Sequence, residues 1–175
     1  DLVANDDGFR FVLDGQAVLI EDYLAVRPTQ REALARAIDD GRVSVGPWYV
    51  QPDTLLPSGE SLIRNLLVGR EICTAMGRCS SVAYVPDSFG HPAQLPQLFA
   101  GFGLAPFVYW RGNGNEADRL GDRWRWVAPD GSAVGAYLLR GGYYNAAFVP
   151  ASVTEAAMQL VETLESSRRS GEDFA

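Results

Sequence analysis

Hydrophobic positions along this chain switch between a strand-like and a helix-like period. Residues 9–13 and 17–20 are apolar runs on either side of Asp14 and Gly15, a pattern that predicts a hairpin or a bulged strand. After Pro28, the order Thr29-Gln30-Arg31-Glu32 reads as a capping box opening a helix that closes at Gly41. Residues 43–48 read as a short strand. Ser58 opens a second helix, apolar at Leu62, Ile63, Leu66 and Leu67 and stopping near Gly77. Residues 81–85 are strand-like up to Pro86, and Pro92 begins a short helix that reaches residues 101–103. Residues 106–110 form the next strand. Residues 124–127 and 133–139 flank Pro129-Asp130-Gly131, a good hairpin turn. Ser152 and Glu155 frame a second capping box, and its helix continues past Leu164. Strands therefore alternate with helices through the middle of the chain. That order predicts βαβ units, a mainly parallel sheet and an α/β fold class.

Composition narrows the partners. With 47% hydrophobic residues, the chain has the material for a core and is no disordered tail. A net charge of −7 argues against nucleic acid and anionic membrane, since both demand clustered cations. No run approaches the roughly 20 apolar residues needed to span a bilayer. Cys73 and Cys79 lack metal-site or redox-motif spacing and read as buried thiols, which points to a cytoplasmic setting.

In parallel sheets, ligands gather beyond the carboxyl ends of the strands. Past 43–47 come Trp48, Tyr49 and Asp53; past 82–85 come Asp87, Phe89 and His91; past 107–109 come Trp110 and Arg111. Aromatic faces beside carboxylates suit a sugar, whose C–H faces stack on rings while its hydroxyls need acceptors. Each residue also has an ordinary reading. Asp87 could merely cap a turn after Pro86, or it could attack a sugar carbon or bind a metal. His91 reads as a packed or hydrogen-bonded residue, because one histidine cannot by itself build a zinc site. Arg111 could fork onto a carboxylate or end a solvated strand. Glu60 and Arg64, four apart, suggest a surface ion pair. Tyr143 and Tyr144 after Gly141-Gly142 read as packing.

Several blocks, in order, carry a resemblance. They are FVLDGQ at 11–16, EDYL at 21–24, Arg27-Pro28, GPWYV at 46–50 with Asp53, and SGESLIRNL at 58–66 with Gly69. YVPDSFGH at 84–91, YWRG at 109–112, Trp126 and PDGS at 129–132 complete them. Over residues 9–150 the chain resembles the bacterial branch of family 38 glycoside hydrolases, the retaining α-mannosidases. The resemblance implies that residues 1–175 are an incomplete catalytic domain, part of a seven-stranded β/α barrel whose first strand and later elements lie elsewhere. It implies that Asp87 is both nucleophile and Zn²⁺ ligand, that Phe89 lines the substrate subsite, and that Arg111 holds the carboxylate of Asp87. Trp48 and Trp110 join Phe89 as candidate stacking platforms for a mannose-containing carbohydrate. The family's His-x-Asp pair, its downstream histidine and its general acid have no counterpart here. The expectation is thus an α-mannosidase as the intact protein, with this stretch alone inactive and its open sheet edges inviting homo-oligomers. Two rival readings are a non-catalytic carbohydrate-binding α/β domain and a metal-dependent deacetylase-like hydrolase.

Overall fold

The computed structural model describes residues 2–144 and 147–168. The chain divides into two compact units, one of residues 1–52 and 56–82 and the other of residues 53–55 and 83–175.

The first unit contains α1 (Leu2–Asn5), β1 (Phe11–Val12), α2 (Val18–Val26), a 3-10 turn (Pro28–Gln30), α3 (Arg31–Asp39), β2 (Val43–Ser44) and α4 (Gly59–Ala75). β1 pairs in parallel with β2, Phe11 opposite Val43. Asp14 and Gly15 turn the chain through the left-handed region, at φ 44° and 69°. Small polar residues and glycine reach that region at least cost. The predicted hairpin does not form: the second apolar run enters α2, which buries Ile20 and Leu24 one turn apart. The capping box at Thr29 is also absent. Pro28–Gln30 makes the 3-10 turn, and α3 starts behind Gln30 without a side-chain cap. The strand expected over 43–48 shortens to Val43–Ser44. Ile20, Leu24, Ala37, Ile38, Val43, Val45, Cys73 and Met76 form this unit's core.

Helix α4 follows its prediction closely. Ser58 Oγ accepts the Ser61 amide at 3.2 Å, a cap worth about 1 kcal/mol. Glu60 and Arg64 pair at 2.8 Å on its exposed side, where such pairs contribute little. Its inner side lies directly on the 47–49 backbone. A Cβ at Gly69 would stand 2.3 Å from the Trp48 carbonyl carbon and 2.4 Å from Pro47 O. One turn earlier, Asn65 Oδ1 accepts the amides of Tyr49 at 2.7 Å and Val50 at 3.1 Å.

The second unit contains β3 (Ala83–Val85), α5 (Leu95–Gly101), β4 (Phe107–Tyr109), α6 (Ala117–Leu120), β5 (Arg123–Val127), β6 (Ala133–Leu138) and α7 (Val153–Arg168). Its four-stranded sheet runs β3-β4-β6-β5. β3, β4 and β6 are parallel, and β5 returns antiparallel to β6 through the predicted turn. In that turn Asp130 Oδ1 accepts the Ser132 amide at 3.0 Å, and Gly131 takes φ 88°. β4 is one of the sheet's two inner strands. Phe107 and Tyr109 are 0% exposed, and Phe99 of α5 stacks on Phe107 with centroids 5.5 Å apart. Burying each such ring stabilises by about 1.5–3 kcal/mol. Arg140 forks onto buried Asp122, Nε to Oδ2 at 2.6 Å and Nη2 to Oδ1 at 2.5 Å, tying the base of β5 to the top of β6.

The fold class is mixed α/β with parallel pairing, as the alternation predicts. The described strands make sheets of two and four; a seven-membered ring of strands is not present among the described residues. Among them, too, no helix is long and apolar enough to cross a membrane.

Candidate active site

Because β3, β4 and β6 are parallel, their carboxyl ends share one edge of the sheet. Val85 is opposite Tyr109, so one step further Pro86 meets Trp110, whose amide donates to Pro86 O at 3.1 Å. The next step sets Asp87 beside Arg111. β6 ends with Leu138 opposite Tyr109, and the chain then passes Gly141 and Gly142, at φ 80° and 98°, to Tyr143. Strand register therefore sets Asp87 beside Arg111 on one rim, and the passage through Gly141-Gly142 brings Tyr143 to it.

Arg111 Nε is 2.8 Å from Asp87 Oδ1, with both side chains partly exposed. Its N–H is not aimed along that line and has no hydrogen-bond partner, so the pairing is a charge contact. A contact this exposed stabilises the fold by no more than about 1 kcal/mol; its consequence is alignment. Tyr143 donates its hydroxyl to Asp87 Oδ2 at 3.3 Å. The Arg111 guanidinium lies 3.8 Å from the Trp110 ring centroid and 5.1 Å from that of Phe89, positions that favour cation–π attraction. Phe89 is 70% exposed. Trp110 stands edge-on to Tyr143 and Tyr144, with centroids 5.5 and 5.4 Å away. A side chain at Gly142 would meet the Trp110 ring at 3.2 Å, so this glycine lets the aromatic group close up.

Behind the rim lies a polar layer. Thr54 and Ser88 are 1% and 2% exposed. The Thr54 amide donates to Ser88 Oγ at 2.9 Å, and Thr54 Oγ1 donates to Gly90 O at 2.7 Å. Ser88 Oγ is 3.1 Å from Asp53 Oδ1 and 2.8 Å from Gly90 O. His91 Nε2 is 2.9 Å from the Arg111 carbonyl, and Nδ1 is 3.4 Å from Thr54 Oγ1. Burial pushes the His91 pKa below its ordinary value, partly offset by the Arg111 carbonyl and the charge of Asp53. Tyr109, under the rim, has its phenol pushed up by burial, while its oxygen accepts from Asn113 Nδ2 and Trp124 Nε1, both at 2.8 Å.

Of the residues singled out from sequence, Asp87, Phe89, Trp110 and Arg111 come together in the second unit. Trp48 is a core residue instead. It belongs to the first unit and is 0% exposed, held by its carbonyl accepting the Ala17 amide at 2.8 Å; a ring so buried has no face to offer a sugar. Asp53 is an acceptor for Ser88 in the polar layer. Tyr143, read from sequence as packing, in fact touches Asp87; Gly141-Gly142 after a strand was the only local signal. The described residues do not make a metal site on their own. No group of three or more His, Cys, Asp or Glu converges among them, and the sole histidine is committed to the Arg111 carbonyl.

A profile of the glycosyl hydrolases family 38 N-terminal domain matches residues 1–174. A Halalkalibacterium halodurans protein provisionally named a mannosylglycerate hydrolase is 36% identical, across 97% of this chain and 20% of its own length. An α-mannosidase of Saccharomyces cerevisiae is 32% identical over 59% of this chain and 10% of itself. The solved structure of an α-mannosidase from Enterococcus faecalis V583 superposes with a TM-score of 0.88 at 31% identity, covering 99% of this chain and 20% of that one. The chain thus spans about a fifth of the length of the first relatives it matches.

Proposed function

This chain belongs to the glycosyl hydrolase family 38 N-terminal domain family, and from that premise we propose that the protein carrying it is a retaining α-mannosidase with Asp87 as nucleophile. The observation that carries the proposal is the carboxylate at the end of β3: exposed, held by Arg111 and Tyr143, with the Trp110 and Phe89 rings against the Arg111 guanidinium.

The chemistry runs in two displacements. An Asp87 oxygen bonds to the anomeric carbon as the glycosidic C–O bond breaks, and the leaving oxygen takes a proton from a general acid. Water then attacks the same carbon, gives a proton to that group, and frees Asp87. Arg111 and Tyr143 each hold one carboxylate oxygen, which limits rotation and keeps a lone pair directed at the sugar carbon. Phe89 and Trp110 suit the C–H face of a mannose ring. The second carboxylate, about 5 Å from the first in retaining enzymes, has no assignment among the described residues. Zinc belongs to the proposal for the intact enzyme only, where Asp87 would be one of its ligands. The described residues do not assemble a metal site by themselves.

Asp87→Asn in the intact enzyme should cut turnover of an aryl α-mannoside by at least about a thousandfold without unfolding it. A fluorinated mannosyl fluoride should leave a covalent adduct on the peptide containing Asp87. Turnover within tenfold of wild type, or an adduct on another residue, would remove Asp87 from the role.

A further inference from the structure

We propose that His91 is a positioning residue: its Nε2–H holds the Arg111 carbonyl and so fixes the Arg111 guanidinium against the Asp87 carboxylate. The inference rests on the reading of Asp87 as nucleophile.

Asp87 and His91 share the loop after β3, and Arg111 lies just past β4. Two bonds stitch these segments together, Trp110 N to Pro86 O at 3.1 Å and His91 Nε2 to Arg111 O at 2.9 Å. They close a small ring of chain that contains the Asp87–Arg111 contact. A carbonyl only accepts, so Nε2 carries the proton and the neutral tautomer leaves Nδ1 bare. Thr54 Oγ1 is 3.4 Å from Nδ1 but only 2.7 Å from Gly90 O, so its single proton goes to the carbonyl. Ring orientation is therefore set by packing rather than by Thr54. The imidazole stands edge-on to Phe107, Tyr109 and Trp126, with centroids 5.2, 5.6 and 6.0 Å away.

Gly112 makes the approach feasible. It sits at φ 105°, and a Cβ there would come 2.4 Å from His91 Nε2, so the imidazole occupies the space a side chain would fill. The Arg111 side chain needs this anchor. Its contact with Asp87 lacks hydrogen-bond alignment, and among the described residues its guanidinium otherwise meets the Phe89 and Trp110 rings. A long, exposed side chain is directed by where its backbone starts. His91 sets that starting point.

The test is a set of His91 variants in the intact enzyme. Gln extends an amide N–H to about the reach of Nε2, whereas Asn stops near Nδ1 and Leu offers no donor. His91→Leu and His91→Asn should each lower kcat on an aryl α-mannoside by about 10–100-fold with KM within about twofold, and His91→Gln should recover most of the loss. In an Arg111→Ala background, His91→Asn should cost less than about a further twofold, because the residue it acts through is gone. Amide exchange at residues 110–112 reads the same stitch without turnover, and should be faster in His91→Asn than in wild type or His91→Gln. Equal losses with and without Arg111, no rescue by Gln, or unchanged exchange in His91→Asn would overturn the assignment. An active Asp87→Asn enzyme would instead remove the nucleophile reading, whatever the His91 series shows.

Discussion

His91 shows at the scale of one residue how burial decides a chemical state. Three aromatic rings and the Arg111 carbonyl surround it, and desolvation lowers its pKa. In the unfolded chain a histidine titrates near about pH 6.5. As pH falls below that value, the unfolded chain takes up a proton that the folded chain resists until its own lower pKa is reached. His91 therefore leaves stability intact above about pH 6.5 and subtracts from it progressively below. Urea melts of the intact protein should show wild type losing more stability than His91→Gln between about pH 7.5 and pH 5. Equal losses would mean that the folded pKa is not depressed. Asp87, Phe89, Trp110 and Arg111 lie past strand ends, as the sequence predicts, because strand ends are marked by local pattern. Trp48, expected as a stacking platform, is buried instead, since an aromatic residue after a strand reads the same whether its ring faces rim or core.

Elements were legible where their signals were long. Helix α4 combines a serine cap with apolar positions over several turns, and its predicted start at Ser58 is the observed cap. The run at 17–20 was too short to tell strand from helix by period, and α2 formed because Ile20 and Leu24 could face the same core. Contacts between elements left almost no trace in the pattern. Gly69 looked like one more helical position, yet it is where α4 touches the backbone of residues 47–49. Gly69→Ala would raise intrinsic helix propensity and still destabilise the protein, because backbone atoms at 2.3–2.4 Å cannot rotate away. A loss of about 2–3 kcal/mol is expected, seen as a Tm fall of roughly 5–10 °C. An unchanged Tm would mean that the helix backs off freely.

At the scale of the whole molecule, each unit carries its own sheet and core, and the rim bearing Asp87 belongs entirely to the second. That rim carries the carboxylate proposed as nucleophile, with Arg111 and Tyr143 against it, but no convergent ligand set among the described residues. On the proposed reading, the 175-residue chain alone should retain no stoichiometric zinc after dialysis and hydrolyse no aryl α-mannoside, whereas the intact protein should lose turnover to a chelator and regain it with zinc. Metal analysis beside an Asp87→Ala control decides the matter. Stoichiometric zinc on the chain, lost in the control, would show that these residues assemble a site unaided.

What the sequence determined was the set of local choices: alternation of strand and helix, the cap at Ser58, the turn at Pro129-Asp130-Gly131, and the placing of Asp87 and Arg111 just beyond strand ends. These depend on neighbours a few residues apart, which a linear pattern records. Only the tertiary structure decided that Tyr143 reaches Asp87, that His91 binds the Arg111 carbonyl in the space Gly112 leaves open, and that Trp48 is core. Each of those outcomes joins residues 20 or more positions apart or turns a ring toward one side of the chain rather than the other. The physical reason is packing: which surface meets which is settled by shape and space once the sheet has formed.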